Sequence, residues 1–253
     1  MYDQRRVEEL IAKFEAGIRD AEMRKVRSEV FDAPTLRVIY KLMEQGIFDV
    51  LEQVISTGKE ANVFRARKGN VYLAVKIYRV ETTEFRHMWK YLDGDPRFLR
   101  VRRNRRGIIK AWVRREFKNL ETAFEHGVSV PAPYAYRENV LVMEFIGEDS
   151  KPAPLLKDCM PEDPRRFADE LLDTLSRLYF RAKLVHADLS EYNILVRENH
   201  PVLIDFGQAV PWDHPLSHEF FLRDMERLRK VLSMLGMDIV DPIRVLKERS
   251  EHV

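Results

Sequence analysis

The chain has 253 residues, 45% of them apolar and 33% charged, which suits one large core or two lobes and excludes an intrinsically disordered chain. A formal net charge of +2 provides no global electrostatic field that would indicate a polyanionic partner. Cys159 is the only cysteine, so an intrachain disulfide and a zinc site made of thiolates are both excluded.

The N-terminal region, residues 1–48, is predicted to form two amphipathic helices. Apolar residues recur at helical spacing over 7–18, and a second helix is expected to begin near Asp32 and to end at Gly46. Charges occur throughout the N-terminus, and no apolar run of membrane-spanning length follows. We therefore expect a cytoplasmic protein with no membrane partner, in which these helices pack on the next domain.

The sequence then predicts three strands, at 50–55, 61–66 and 71–80, joined as an antiparallel meander. Between the first two lie Ser56, Thr57, Gly58 and Lys59. Such a loop can place backbone N–H groups and an ammonium group on phosphate oxygens. It is equally compatible with an ordinary hairpin loop, because it matches no established phosphate-binding pattern.

Lys76 lies between β-branched residues in the middle of a predicted strand, where partial burial requires an anionic partner. Phosphate oxygens and one acidic residue would provide it. Glu116, near the start of a helix predicted from about residue 109 to 126, is the best-placed acid, although Glu121 and Glu125 share that helix. The alternative is a solvent-facing lysine on an edge strand.

The second half of the chain changes from strands to helices. Predicted elements there are strands at 134–136 and 140–146 and helices at 164–183 and 215–235. Gly147 and the polar run that follows it mark a boundary between two lobes. The predicted parts are N-terminal helices at 1–48, one lobe at 49–147 and a second lobe at 148–253.

The most informative stretch is HADLSEYN, which begins at His186 and is followed by VLIDFG. Short apolar runs on either side of a polar turn predict a hairpin that places Asn193 and Asp205 at the same open end. Amide and carboxylate oxygens held side by side can share a magnesium ion. Asp188 lies five residues before Asn193, within reach of the same phosphate, and could orient or deprotonate the acceptor hydroxyl.

Seven strings across the chain resemble the RIO family of atypical protein kinases, specifically its type-one subfamily. They are STGKEANV, AVKIYR, REFKNLE, GVSVPAP, MEFIGED, LVHADLSEYNIL and IDFGQAV. The chain is similar to archaeal members, since it has neither a winged-helix domain before the strands nor long tails. The resemblance implies an α+β, two-lobed protein-kinase-like fold, with an antiparallel N-lobe sheet and a mainly helical C-lobe that lacks an activation segment.

The resemblance also implies which residues bind ATP. Lys76 would contact the α and β phosphates and pair with Glu116, while Met143 would guard the back of the adenine pocket. The remaining expected ATP-binding residues are Ser56, Thr57 and Lys59 in the phosphate loop and the backbone groups of Glu144 and Ile146 at the adenine edge.

For catalysis, the resemblance implies that Asp188 is the catalytic aspartate and that Asn193 and Asp205 hold Mg²⁺ or Mn²⁺. Asp205 is also the position suspected of accepting the phosphoryl group. The expected enzyme is an atypical serine/threonine protein kinase or ATPase that acts as a switch in maturation of the small ribosomal subunit. Only seven residues separate Gly207 from Pro215, which weakens the case for a broad range of protein substrates.

Residues 97–115 hold nine Lys or Arg and no acidic residue. This stretch is expected to contact ribosomal RNA phosphates of an immature small subunit, and the alternative is a solvated basic loop and helix face. Two other functions compete with the switch. A small-molecule kinase of the aminoglycoside or choline type would carry the same Asp and Asn spacing, but no large helical insertion for an acceptor is evident. An idle scaffold would not need the complete set of catalytic residues.

Overall fold

The computed structural model describes residues 31–80, 85–98, 101–102, 104–148 and 150–251. The helix predicted at 7–18 lies outside these residues. By its internal contacts the chain divides into two compact units. Of the described residues, those within 31–86, 101–114 and 134–145 belong to the first unit, and those within 87–98, 115–133 and 146–251 belong to the second.

The described secondary structure consists of six α-helices and eleven strands, several of them only two residues long. The helices are α1 (Ala33–Glu44), α2 (Phe85–Leu92), α3 (Arg105–Glu125), α4 (Pro164–Ser176), α5 (Ser217–Met234) and α6 (Pro242–Ser250). The strands are β1 (Val50–Thr57), β2 (Ala61–Lys68), β3 (Val71–Tyr78), β4 (Pro133–Arg137), β5 (Val140–Glu144), β6 (Gly147–Glu148), β7 (Lys151–Pro152), β8 (Leu184–Val185), β9 (Ile194–Arg197), β10 (His200–Leu203) and β11 (Val210–Pro211).

The first unit is built on a five-stranded sheet with the order β1-β2-β3-β5-β4. The pairs β1–β2, β2–β3 and β3–β5 are antiparallel, which confirms the predicted meander. In β3 the residues from Leu73 to Tyr78 are all buried, so this central strand is covered on both faces. Burial of both faces is why its sequence is a nearly continuous apolar run rather than an alternating one.

Helix α1 packs on the sheet of the first unit through an apolar stripe. Val38, Ile39 and Leu42 from the helix are buried in one cluster with Phe64 and Val75 from the strands. The Asp32 side chain accepts a hydrogen bond from the N–H of Thr35 at 2.8 Å, which caps the first turn. The helix predicted to begin near Asp32 is thereby confirmed.

The second unit has helices α4, α5 and α6 around a core that includes Phe167, Leu171 and Leu175. A five-residue π-helical turn at Arg177–Arg181 continues α4, so the helix predicted over 164–183 is confirmed with a change of pitch at its end. Helix α6 docks on α4 through Arg249, whose guanidinium forms ion pairs with two aspartates of that helix at 2.6 and 2.7 Å.

Three two-stranded pairs complete the second unit. Strands β9 and β10 form the predicted hairpin, and a backbone bond of 3.0 Å from the Ile204 N–H to the Asn193 carbonyl extends it beyond the last paired residues. The pairs β6–β7 and β8–β11 were not predicted. None of the described helices is long and apolar enough to cross a membrane.

Helix α3 begins at Arg105, about a turn before the predicted start at residue 109. The cause is Asn104, whose side-chain oxygen accepts the N–H of Gly107 at 2.8 Å while its carbonyl accepts the N–H of Ile108 at 3.0 Å. Asn is a favoured N-cap, and here it turns a basic, helix-compatible run into the first turn. Glu116 therefore lies in the middle of the helix and not near its start.

Candidate active site

The expected phosphate loop is shorter than predicted, because Ser56 and Thr57 are the last two residues of β1, opposite Val63 and Asn62 of β2. Only residues 58–60 form the turn between the two strands. Ser56, Thr57 and Lys59 are exposed. The turn is closed by a backbone hydrogen bond of 2.9 Å from Gly58 to Ala61, and a Cβ at Gly58 would lie 3.0 Å from that carbonyl oxygen. The loop thus leaves two hydroxyls and an ammonium group available to an anion.

Lys76 is a buried cation in the first unit, with only 8% of its surface exposed. Its strand β3 is paired on both sides, by β2 and by β5. The alternative of a solvent-facing lysine on an edge strand is therefore wrong. The Lys76 ammonium nitrogen lies 5.1 Å from the ring centre of Tyr78, which is a cation–π contact.

The expected adenine-binding residues lie at and after the end of β5. Met143 and Glu144 are half-buried in that strand, opposite Ala74 and Leu73 of β3. Ile146 belongs to the second unit, and its carbonyl already accepts a hydrogen bond of 2.9 Å from the Ala153 N–H. A carbonyl oxygen can accept a second hydrogen bond, so the expected role of the Ile146 backbone in adenine binding stays a prediction.

Glu116 is 1% exposed, on the part of α3 that belongs to the second unit. The other two acids on this helix differ from it. Glu121 forms an ion pair of 2.5 Å with Lys118, and Glu125 is exposed. Glu116 is therefore the acid of the three that is withdrawn from water, as a partner for a buried ammonium must be. The pairing with Lys76 that the family resemblance implies stays a prediction.

The Asp188 carboxylate receives hydrogen bonds from three side chains of the second unit. Arg227 donates to Oδ1 at 2.5 Å, and Gln208 and Asn193 donate to Oδ2 at 3.1 and 3.3 Å. The residue before it, Ala187, has a φ of 65°, a left-handed conformation that is strained for a residue with a side chain. The aspartate is thus held in a fixed orientation by its surroundings.

The loop around Asp188 is held by Asp224 from α5, which sequence reasoning missed. The Asp224 carboxylate is buried and accepts the N–H of Ala187 at 2.9 Å and that of Leu189 at 3.3 Å. Burial raises the pKa of Asp224, and these hydrogen bonds work against that rise. Asp224 lies four residues after Phe220 and four residues before Leu228, so it falls on the apolar face of α5. An acid on an apolar helix face is the sequence signal that could have identified it.

Replacing Asp224 with asparagine should lower the free energy of unfolding by about 1–3 kcal/mol, because one of the two loop N–H groups loses its acceptor. Turnover should fall with it, since the strained Ala187 conformation loses its support. Denaturant unfolding and steady-state kinetics measure the two effects. Glu226→Gln makes the same chemical change at an exposed position of α5 and should stay within about 0.5 kcal/mol of wild type. Equal stability of the two variants would contradict the prediction.

The candidate metal ligands Asn193 and Asp205 lie at the same end of the β9–β10 hairpin, as predicted. The Asn193 amide donates through Nδ2 to the backbone oxygen of Asp188 at 2.8 Å. Its Oδ1 is therefore the atom available to a cation. Asp205 is exposed and has a φ of 64°. Amide and carboxylate oxygens fit Mg²⁺, and phosphate oxygens and water would complete its octahedron.

His186 connects the two segments that carry these residues. Its Nδ1 accepts the N–H of Asp188 at 3.3 Å, and its Nε2 donates to the carbonyl of Ile204 at 3.1 Å. These partners assign the proton to Nε2. The histidine is fully buried, with its ring packed at 4.9 Å against Phe206. It therefore fixes the spacing between Asp188 and the segment that leads into Asp205.

The basic stretch at 97–115 is not uniformly available to a partner, which corrects the expectation that all of it could contact RNA. Arg115 is fully buried and forms an ion pair with the buried Asp95, with 3.4 Å between Nε and Oδ2. Burial lowers the pKa of Arg115 to about 9, so its guanidinium stays charged at neutral pH. Its Nη2 donates to the carbonyl of Ala209 at 2.8 Å. Arg115 is a structural residue.

Comparison with known proteins identifies the family. The RIO domain matches residues 62–244, which is more than half of the chain. The RIO-type serine/threonine-protein kinase Rio1 of Haloferax volcanii is 44% identical over 227 residues, covering 89% of this chain and 78% of the relative. The chain belongs to the RIO family of atypical serine/threonine protein kinases. Among RIO kinases it is of the type-one, archaeal-like kind.

One further relative agrees with that assignment, and a solved structure agrees with the fold. The Rio1 kinase of Methanocaldococcus jannaschii is 46% identical over 200 residues, covering 79% of this chain and 69% of the relative. The crystal structure of the Rio2 kinase-ADP/Mg²⁺-phosphoaspartate complex from Chaetomium thermophilum has a TM-score of 0.65 at 21% identity, covering 86% of this chain and 66% of that chain. This likeness confirms the predicted α+β, protein-kinase-like fold with its antiparallel N-terminal sheet.

Proposed function

We propose that this RIO kinase is an ATP-driven switch in maturation of the small ribosomal subunit. It would transfer the γ-phosphate of ATP either to serine, including its own, or to water by way of an aspartyl-phosphate. The observation that carries the proposal is the grouping of Asp188, Asn193 and Asp205 by direct hydrogen bonds and by the backbone bond between Asn193 and Ile204. Such a grouping provides a base and two metal-ligand oxygens within one unit.

The short connection after Asp205 supports a restricted choice of acceptor. Between Asp205 and the start of α5 at Ser217, all of which is described, strand β11 pairs with β8. The Trp212 indole N–H donates to the carbonyl of Tyr179 at 2.7 Å, and the Ser217 hydroxyl donates to the carbonyl of Trp212 at 2.8 Å. A segment this short, held by these contacts, does not favour an activation segment that docks varied peptides.

The site residues have distinct roles in the proposed reaction, and Asp205 has two. Lys76 binds the α and β phosphates, and the exposed hydroxyls of Ser56 and Thr57 at the end of β1 bind further oxygens of the same phosphates. Mg²⁺ or Mn²⁺, held by Asn193 and Asp205, would neutralise charge that develops on the β and γ phosphates. Asp188 orients the attacking hydroxyl or water and takes its proton as the new P–O bond forms and the bond to ADP breaks.

Asp205 is the proposed acceptor in the hydrolytic branch. Its carboxylate oxygen would attack the γ-phosphorus and release ADP, and water activated by Asp188 would then cleave the acyl phosphate to inorganic phosphate. The phosphoaspartate in the Rio2 complex of Chaetomium thermophilum supports this choice by analogy. The exposure of Asp205 is consistent with direct access to the γ-phosphate.

The proposed partner is the immature small ribosomal subunit with its RNA, in the cytoplasm. Support comes from the family resemblance and from the exposed cations of the basic stretch. Those exposed are Arg97, Arg102, Arg105, Arg106, Lys110 and Arg114. Phosphate binding by such side chains gains free energy from release of counterions.

The test is ATP turnover by the purified protein with and without purified immature small subunits. Wild type is compared with Asp188→Ala and Asp205→Asn, and the phosphorylated protein is trapped and treated with acid or with hydroxylamine. Stimulation by the particle, its loss in both variants and a trapped phosphate that hydroxylamine cleaves are the expected results, because hydroxylamine cleaves acyl phosphates and leaves phosphoserine intact.

Other outcomes identify the competing functions. Turnover that requires a small alcohol would show a small-molecule kinase. An acid-stable phosphoserine formed on other proteins at high rate would show a conventional protein kinase. Absence of turnover under every condition would show a scaffold, and each of these results would overturn the switch.

A further inference from the structure

The side chain of Gln208 forms a bridge in the second unit between the Asp188 carboxylate and helix α2. Its Oε1 accepts a hydrogen bond of 2.7 Å from the Tyr91 hydroxyl, and its Nε2 donates to Asp188 Oδ2 at 3.1 Å. The amide orientation follows from the chemistry, because a carboxylate accepts hydrogen bonds and cannot donate them. Tyr91 must then donate to the oxygen end.

Tyr91 is suited to a fixed donor role. It is 2% exposed, and its ring packs at 5.1 Å against Phe220 of α5. Burial raises the pKa of Tyr91, so its hydroxyl keeps its proton at neutral pH. A buried hydroxyl that has one good acceptor will hold that acceptor in place.

The backbone around Gln208 is equally constrained. The Asn119 amide nitrogen of α3 donates to the carbonyl of Phe206 at 3.0 Å and to that of Ala209 at 2.8 Å. The Arg115 guanidinium donates to the same Ala209 carbonyl. The main chain on both sides of Gln208 is therefore held by hydrogen bonds. Both ends of its side-chain amide are hydrogen-bonded as well, which favours a single side-chain conformation.

We infer that Gln208, oriented by Tyr91, is the positioning residue that sets the orientation of the Asp188 carboxylate for proton transfer. The inference rests on the proposed role of Asp188 as the catalytic aspartate. Arg227 holds the other carboxylate oxygen and supplies the balancing charge. With Oδ1 held by a cation and Oδ2 held by two amides, the carboxylate plane is fixed from opposite sides.

The charged and titratable groups around this bridge come from four elements. They are Asp188 in the loop, Tyr91 on α2, Arg115 on α3, and Arg223 and Arg227 on α5. A carboxyl placed at position 208 would face the Asp188 carboxylate at hydrogen-bond distance. While ionised it repels Asp188, and once protonated it donates a hydrogen bond as the native amide does.

The test compares Gln208→Glu, Tyr91→Phe and wild type in ATP turnover across pH 6 to pH 8 with Mg²⁺, together with ADP affinity and melting temperature. Gln208→Glu is expected to lower kcat about 10- to 100-fold at pH 8 with KM for ATP unchanged, as misplacement of a catalytic base does. The ratio of variant to wild-type kcat should rise as the pH falls. Tyr91→Phe should lower kcat by about three- to tenfold, the value of one neutral hydrogen bond.

The controls separate this inference from the function on which it rests. Gln45→Glu makes the same substitution at an exposed position after α1 and should leave kcat and its pH profile unchanged. If Asp188→Ala is inactive while Gln208→Glu has wild-type kcat, the inference fails and the proposed function stands. A kcat loss in Gln208→Glu with the pH profile of wild type and a lower melting temperature would show a structural role only. Wild-type turnover by Asp188→Ala would overturn both.

Discussion

Substitution of Asp188 with asparagine is expected to reduce kcat about 10²- to 10⁴-fold, the contribution of a positioned general base. Asparagine has the same shape and can still accept the hydrogen bond from Gln208, but it cannot take a proton. The affinity for ATP should therefore change little. Single-turnover phosphate release and equilibrium nucleotide binding measure the two quantities separately.

Asp158→Asn is the matched control, because Asp158 is exposed and its ion pair with Lys157 is a surface contact. That variant should keep wild-type kcat. The prediction is contradicted if Asp188→Asn loses ATP affinity in proportion to kcat, since the aspartate would then be a nucleotide-binding residue. Retention of wild-type kcat would remove Asp188 from the mechanism altogether.

Substitution of Asp95 with asparagine is expected to cost about 3–5 kcal/mol of unfolding free energy at pH 7, the range for removing one partner of a buried ion pair. Asp95 and Arg115 are both fully buried. Asp95 also accepts two hydrogen bonds of 3.0 Å and one of 2.8 Å from Arg97. Without the carboxylate, a charged guanidinium remains in the core with no counterion. Denaturant unfolding gives the difference.

The stability lost in Asp95→Asn should depend on pH, because the ionised Asp95 carboxylate is what stabilises the fold. Burial alone would raise the pKa of Asp95, but the hydrogen bonds and charge of Arg97, helped by Arg115, outweigh burial and lower it. The native state therefore binds fewer protons than the unfolded state, whose aspartates titrate near about pH 3.9. The stabilisation is complete above that pH and is lost as the pH falls further. The difference in free energy of unfolding between wild type and Asp95→Asn should therefore become smaller below about pH 4.

Asp93→Asn is the matched control. It makes the same change of an acid to an amide two residues before Asp95, at an exposed position. It should remain within about 0.5 kcal/mol of wild type at every pH. Equal stability of the Asp93 and Asp95 variants at pH 7 would show that Arg115 does not depend on its buried partner.

The elements with a strong periodic pattern could be predicted from the sequence. Alternation and turn residues located β1 to β3 and the β9–β10 hairpin, and the hairpin brought Asn193 and Asp205 to one end. The helix over 164–183 followed from apolar residues at a spacing of three and four, all of which are buried. Local patterns determine local structure, and these catalytic residues lie close together in sequence.

Contacts between distant segments could not be predicted in this way. Gln208 is 117 residues from Tyr91, and Arg227 is 39 residues from Asp188, so no spacing rule connects them. Arg115 occurs in a run of cations, which argues for a solvated surface, yet its partner Asp95 lies outside that run. Burial of a charge is decided by its partner, and a charge pattern does not reveal which partner it finds.

The ion pairs in the basic stretch have a consequence for any anionic partner. Arg97 is paired with Asp95, Arg106 with Asp32 and Lys110 with Glu138, at 2.8, 2.7 and 2.7 Å. These carboxylates already neutralise part of the positive charge, so a nucleic acid that binds there meets a weaker field than the number of cations suggests. Its affinity should then fall with salt less steeply than the about 0.9 logarithmic units per phosphate expected for unpaired cations on duplex DNA.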